Sequence, residues 1–105
     1  MLTQDAAIGI VRSYARDMEE FGVRLRAVFL YGSFAKGTQR EWSDIDVALV
    51  ADEFTGLPDD CNLFPYMGGI RKPYTLIEAK TYPTEYFLQG DPYIEEITKT
   101  GIKII

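Results

Sequence analysis

A glycine–serine pair and two nearby aspartates are the residues whose types and spacing could do chemistry. Gly32-Ser33 follows one apolar run, and Asp44 and Asp46 open a second one. Because side chains alternate along a strand, Asp44 and Asp46 project from the same face of the sheet. Two neighbouring carboxylates repel each other unless a cation lies between them, and the hard divalent ion that prefers oxygen ligands is above all Mg²⁺. The pair therefore predicts a magnesium site.

The Gly32-Ser33 pair is suited to binding phosphate. A glycine directly after a strand lets the backbone approach a ligand where a Cβ would collide. If a helix begins at Ser33, its first N–H groups point at the mouth of the preceding strand and can bind phosphate oxygens. The Ser33 hydroxyl can add one more hydrogen bond. A phosphate site that faces a two-carboxylate metal site predicts phosphoryl or nucleotidyl transfer.

The hydrophobic pattern predicts an α+β fold, a small mixed β-sheet with helices packed mainly on one face. The predicted strands are Arg26–Tyr31, Ile45–Val50, Thr75–Lys80 and an edge strand at Ile102–Ile105. The predicted helices are Gln4–Phe21, a short helix between the first two strands, and Pro92–Thr100 with Asp91 as N-cap. The site is expected where the ends of the first two strands meet.

The first predicted helix is amphipathic, with Thr3 as its N-cap and Gly22 at its C-terminal end. Six apolar residues on one face predict core positions: Ile8, Val11, Tyr14, Ala15, Met18 and Phe21. The stretch from Asp52 to Pro73 is rich in glycine and proline and is expected to be mostly loop. A short helix from Asp59 or Asp60 through Tyr66 is expected within it.

Two segments of the motif resemble the signature of the DNA polymerase β-like nucleotidyltransferases. These segments are Leu30–Gly37 and Ser43–Val50. Within that superfamily, the chain is most similar to the minimal nucleotidyltransferase domains, small prokaryotic proteins often encoded beside an all-helical HEPN partner. The resemblance extends over about residues 28–105 and includes Asp91–Ile97. It implies a third metal-site carboxylate, for which Glu78 is the best match although the family commonly has an aspartate there.

The resemblance implies one nucleotidyltransferase domain over residues 1–105. Such a domain uses Mg²⁺ or Mn²⁺ to move a nucleoside monophosphate from a nucleoside triphosphate, here expected to be ATP, to a hydroxyl on protein or RNA. Asp44, Asp46 and Glu78 would be the catalytic and metal-binding residues, and Gly32 and Ser33 would bind the phosphates. The alternative is an antitoxin-like binding partner of a HEPN-type protein, in which the fold persists and catalysis is slow or absent. The position of Glu78 relative to Asp46 discriminates between the two.

Three further side chains near the motif each have two interpretations. Lys36 can reach triphosphate oxygens, or it is a solvated lysine on a short exposed helix. Glu78 lies near Asp46 and ligates metal or accepts a proton from the attacking hydroxyl, or it lies on the solvent face of its strand. Trp42 stacks on a nucleobase or covers the apolar underside of its loop.

The composition of the chain limits which partners it can bind and in which cellular compartment it is expected. Lysine and arginine number 11 against 16 acidic residues, a net charge of −5 that argues against binding to a long nucleic-acid duplex. The sequence has no apolar run of about 18 residues and no signal-peptide pattern at its start, which favours a cytoplasmic protein away from the membrane. One cysteine, Cys61, fits a reducing compartment, and the absence of histidine excludes imidazole-based triads. A second protein or a homo-oligomer is expected to select the acceptor, because 105 residues leave no room for a second lobe.

Overall fold

The computed structural model describes residues 2–55 and 76–105. The elements of this part, in chain order, are α1 (Gln4–Glu20), β1 (Leu25–Tyr31), α2 (Ser33–Lys36), β2 (Ile45–Ala51), β3 (Ile77–Pro83), α3 (Thr84–Gln89), α4 (Pro92–Thr100) and β4 (Ile102–Lys103). The short helix expected between Asp59 and Tyr66, and Cys61 with it, lie outside the described residues. No helix in the described ranges is long and apolar enough to cross a membrane.

The strands form one mixed sheet in the order β3-β2-β1-β4. Strand β1 pairs antiparallel with both β2 and β4, whereas β2 pairs parallel with β3. The C-terminal end of β1 therefore lies beside the N-terminal ends of β2 and β3. In the register, Tyr31 faces Asp46 and Asp46 faces Glu78, so these three residues form one row across the end of the sheet. The predicted α+β class with a mixed sheet is confirmed.

The helices cover both faces of the sheet, not mainly one as the sequence suggested. Residues that alternate along β1 enter two different hydrophobic cores. Val28 and Leu30 pack with α1 and α2 on the first face. Phe29 and Tyr31 pack with α3 and α4 on the second face, where the Phe29 ring stacks on Phe87 of α3 at 5.6 Å between centroids.

Helix α3 was not predicted, and β3 ends three residues later than expected. Thr81 and Tyr82 are β-branched and aromatic residues that continue the strand, and both are buried. Pro83, with φ −57°, ends β3 and caps the following helix. Helix α3 spans only Thr84–Gln89, about one and a half turns. Such a length is too short for helical periodicity to show in the sequence.

Side-chain caps fix where the two longer helices begin. The Thr3 hydroxyl accepts a hydrogen bond from the Ala6 N–H at 3.1 Å, as predicted for α1. Asp91 accepts from the Ile94 N–H at 2.7 Å and from the Tyr86 hydroxyl at 3.0 Å. The predicted bounds of α4 are confirmed. Phe21 is a correction: α1 ends at Glu20, and the Phe21 side chain is 48% exposed and does not belong to the core face.

Candidate active site

A cavity of about 270 Å³ lies at the end of the sheet, between the row of Tyr31, Asp46 and Glu78 and helix α4. Its lining comes from both sides of that gap: Tyr31, Gly32, Lys36, Asp46, Glu78, Lys80, Tyr93, Glu96, Ile97 and Thr100. Four of the six predicted site residues are in this lining. Among the described residues, Ser33 and Asp44 belong to adjoining segments and do not line the cavity.

The carboxylates at the site repel one another. Burial raises the pKa of Asp46, the nearby Glu78 carboxylate raises it further, and Asp44 adds a smaller contribution in the same direction. Lys80 partly opposes these effects. Asp44 itself is exposed and precedes β2. The structure therefore brings Asp46 and Glu78 together on neighbouring strands. Asp44 lies close enough for its charge to raise the pKa of Asp46.

Gly32 leaves room for the Asp46 carboxylate. Its backbone has φ 73° and ψ −151°, a conformation essentially restricted to glycine. A Cβ at this position would collide with Oδ2 of Asp46. The sequence predicted that a ligand could approach the backbone of Gly32 closely. In the structure, the group that approaches it is the Asp46 carboxylate, and this contact allows Asp46 to face the cavity.

Ser33 and Lys36 are the first and last residues of α2, a single helical turn. Ser33 is half-buried. The Lys36 ammonium lies 3.7 Å from a carboxylate oxygen of Glu96 on α4, and both side chains are about half exposed. This ion pair joins α2 to α4 across the cavity. Lys36 therefore lines the cavity while about half of its side chain is in solvent, and its role with phosphate stays a prediction.

Two residues that sequence reasoning missed, Lys80 and Tyr93, form the other wall. The Lys80 ammonium donates a long hydrogen bond of 3.5 Å to the Tyr93 hydroxyl and lies 4.7 Å from the centre of its ring. Burial is the main cause that raises the pKa of Tyr31 far above its ordinary value, and a hydrogen bond with Tyr93 is the second. The sequence carried a signal for Lys80 alone, because Lys80 follows Glu78 by two residues and lies on the same strand face.

Trp42 does not cover the underside of its loop. Its side chain is 88% exposed, so that interpretation is wrong. Stacking on a nucleobase remains a prediction.

The donor set fits a hard divalent cation that also binds substrate oxygens. Within residues 2–55 and 76–105, no group of three or more acidic or cysteine side chains is close enough to hold an ion by itself. Mg²⁺, however, is usually held by one or two carboxylates together with waters and substrate phosphates. Asp46 and Glu78 provide two carboxylates whose mutual repulsion such an ion would relieve. The arrangement can therefore accept the ion together with a phosphate ligand.

We predict that Gly32→Ala lowers the free energy of unfolding by about 2–4 kcal/mol, because the backbone becomes strained and the new Cβ displaces Asp46. Urea unfolding measures the loss. Gly37→Ala is the matched control: φ is +74° there, but a Cβ meets nothing within 4 Å. It should cost only about 1–2 kcal/mol. Equal losses in the two variants would contradict the collision with Asp46.

We also predict that Asp46→Asn stabilises the protein near neutral pH and not in acid. The pKa of Asp46 is raised above its usual value of 3.8 on folding, so the unfolded chain releases this proton first as pH rises. The charged carboxylate therefore lowers stability at high pH, and this penalty vanishes below the unfolded pKa. Melting temperatures of the wild type and Asp46→Asn, compared from about pH 3 to pH 7, should diverge as pH rises. A constant difference would show that Asp46 is not destabilised by burial and its acidic neighbours.

Comparison with known families gives one match. The sequence matches the family model described as "Polymerase beta, Nucleotidyltransferase" over residues 18–105, which is most of the chain. Comparison with curated proteins and with solved structures finds no significant match. The matched range contains the four strands of the described residues and each described residue that lines the cavity. The chain therefore belongs to the polymerase β nucleotidyltransferase family.

Proposed function

We propose that this protein is a Mg²⁺-dependent nucleotidyltransferase of the minimal type, which moves a nucleoside monophosphate from ATP or another nucleoside triphosphate to a hydroxyl. The observation that carries the proposal is the pair Asp46 and Glu78 on neighbouring parallel strands, which face one cavity lined also by Lys36 and Lys80. Carboxylates beside cations in one cavity are what a metal–triphosphate complex requires. Membership of the nucleotidyltransferase family supports the same reaction class.

Each wall of the cavity has a part in this proposal. Lys36 from α2 and Lys80 from β3 both line the cavity, where they attract the triphosphate. Asp46 and Glu78 hold the metal, with Asp44 adding negative charge nearby. When bound, the metal orients the triphosphate and neutralises the charge that develops on the departing pyrophosphate.

Glu78 has a second possible role in the same position. As a carboxylate in the cavity, it can accept the proton of the attacking hydroxyl. Its side chain is one methylene longer than that of an aspartate and can reach further into the gap. Glu78→Asp would therefore test whether the longer reach is used, because retraction by one methylene moves the carboxylate away from the acceptor.

A second candidate function is an antitoxin-like binding partner of a HEPN-type protein. The observation that favours it is that the acidic side chains of the described residues form no group of three able to hold an ion. The family resemblance implies three metal-site carboxylates, and a domain whose described residues bring only two of them together can retain the fold while catalysing slowly. The two candidates are compatible, because a domain of this kind can silence its partner by modifying it.

The discriminating experiment is a transfer assay. The protein is incubated with Mg²⁺, α-labelled ATP and either a HEPN-type neighbour or total cellular RNA, and label on macromolecules is measured. We predict transfer by the wild type and a loss of about 100-fold or more in Asp46→Asn, since metal binding and transition-state stabilisation are lost together. Asp52→Asn is the matched control. Asp52 is exposed, follows β2 at the other end of the sheet, and pairs with Arg26.

The control should keep full transfer. Equal activity in Asp46→Asn and the wild type would contradict the proposed site. If the wild type labels no acceptor but binds the HEPN-type protein tightly, the binding function replaces the enzymatic one.

A further inference from the structure

We propose that the Tyr93 hydroxyl is itself an acceptor, so that the protein attaches a nucleoside monophosphate to its own Tyr93. The inference rests on the proposed nucleotidyl transfer and names an acceptor for it. A nucleotidyltransferase requires a hydroxyl beside its triphosphate site. Helix α4 places such a group in the cavity that contains Asp46, Glu78 and Lys80.

Three hydroxyl-bearing residues of the described chain line the cavity, and only Tyr93 is well placed to react. Tyr31 is only 8% exposed, and its hydroxyl is hydrogen-bonded with that of Tyr93. The Thr100 hydroxyl donates a hydrogen bond of 2.8 Å to the Glu96 carbonyl. Tyr93, by contrast, is 48% exposed. Its hydroxyl is therefore the one that combines access with a place in the cavity.

Lys80 brings the two reactants together. Its ammonium lies 3.5 Å from the Tyr93 oxygen and also faces the cavity that holds the acidic pair. A lysine ammonium attracts the oxygens of a triphosphate as a point charge. A triphosphate bound by Lys80 is thus held next to the Tyr93 oxygen, and this proximity converts transfer into an intramolecular step.

The rigidity of Tyr93 supports the same conclusion. Its ring is held by the Lys80 ammonium 4.7 Å from the ring centre and by an edge contact with Tyr31 at 6.1 Å between centroids. Its backbone belongs to the first turn of α4, which Asp91 caps. These contacts hold the Tyr93 ring beside Lys80, within the lining of the cavity.

The reaction is a simple displacement at phosphorus. The Tyr93 phenol oxygen attacks the α-phosphorus of the nucleoside triphosphate and forms a new O–P bond. The bond between the α-phosphorus and the oxygen that bridges to the β-phosphate breaks, and pyrophosphate leaves with that electron pair. The phenol proton passes to water. The product is a phosphodiester between Tyr93 and the nucleoside monophosphate.

The test is mass spectrometry of the purified full chain. The protein is incubated with Mg²⁺ and, separately, ATP, GTP, CTP and UTP, and the labelled residue is located by peptide fragmentation. We expect a mass increase of one nucleoside monophosphate on Tyr93, loss of this product in Tyr93→Phe, and its retention in Tyr86→Phe. Tyr86 is the matched control because its hydroxyl is bonded to Asp91 and does not line the cavity. Circular dichroism melting would check that Tyr93→Phe is folded.

A second set of reactions uses α-labelled nucleotides and adds total cellular RNA or protein extract to the purified chain, so that failure of the inference can be separated from failure of the proposed function. Label on extract macromolecules with none on Tyr93 would overturn the inference and leave the transferase function standing. Label on Tyr31, Thr100 or any other residue of the chain in place of Tyr93 would overturn it as well. An absence of label everywhere would overturn both.

Discussion

Two carboxylates on neighbouring strands repel each other at the end of the sheet, and the other residues of the site surround this pair. Asp46 and Glu78 are direct partners in the parallel pairing of β2 with β3, so their separation is fixed by the sheet itself. Burial and the two acidic neighbours raise the pKa of Asp46, which means that this charge is less stable in the folded protein than in the unfolded chain. A fold retains such a pair at the expense of stability when a cation completes the site.

The surrounding elements hold that pair in place and supply positive charge opposite it. Gly32 has no side chain to displace Asp46, and its positive φ turns the chain from β1 directly into α2. Helix α4 closes the other side of the cavity, where Glu96 holds Lys36 and Tyr93 holds Lys80. Lys36 thus has a carboxylate partner that an anionic ligand could replace, whereas the partner of Lys80 is a neutral hydroxyl. The hydrophobic core beneath α4 holds this helix against the sheet and thereby keeps these contacts in place.

The sequence predicted the parts of the site that depend on local spacing. Period-two alternation put Asp46 on one face of β2, the Asp91 cap and Pro92 set the start of α4, and the resemblance suggested Glu78. It could not predict Tyr93 or Glu96 as site residues, because their place depends on which sheet face α4 covers. That choice follows from tertiary packing, in which Ile94 and Ile97 of α4 share one core with Phe29 of β1.

The most direct test of the account is a double-mutant cycle on Asp46→Asn and Glu78→Gln, with stability measured both alone and with Mg²⁺ plus a non-hydrolysable ATP analogue. Without ligand, each single variant should be more stable than the wild type, and the double variant should gain less than the sum, because either change removes the same repulsion. With ligand, the wild type should be stabilised most and the double variant least. Two results together would contradict a shared carboxylate site. The effects of the two substitutions would be additive without ligand, and the ligand would stabilise the wild type and the double variant equally.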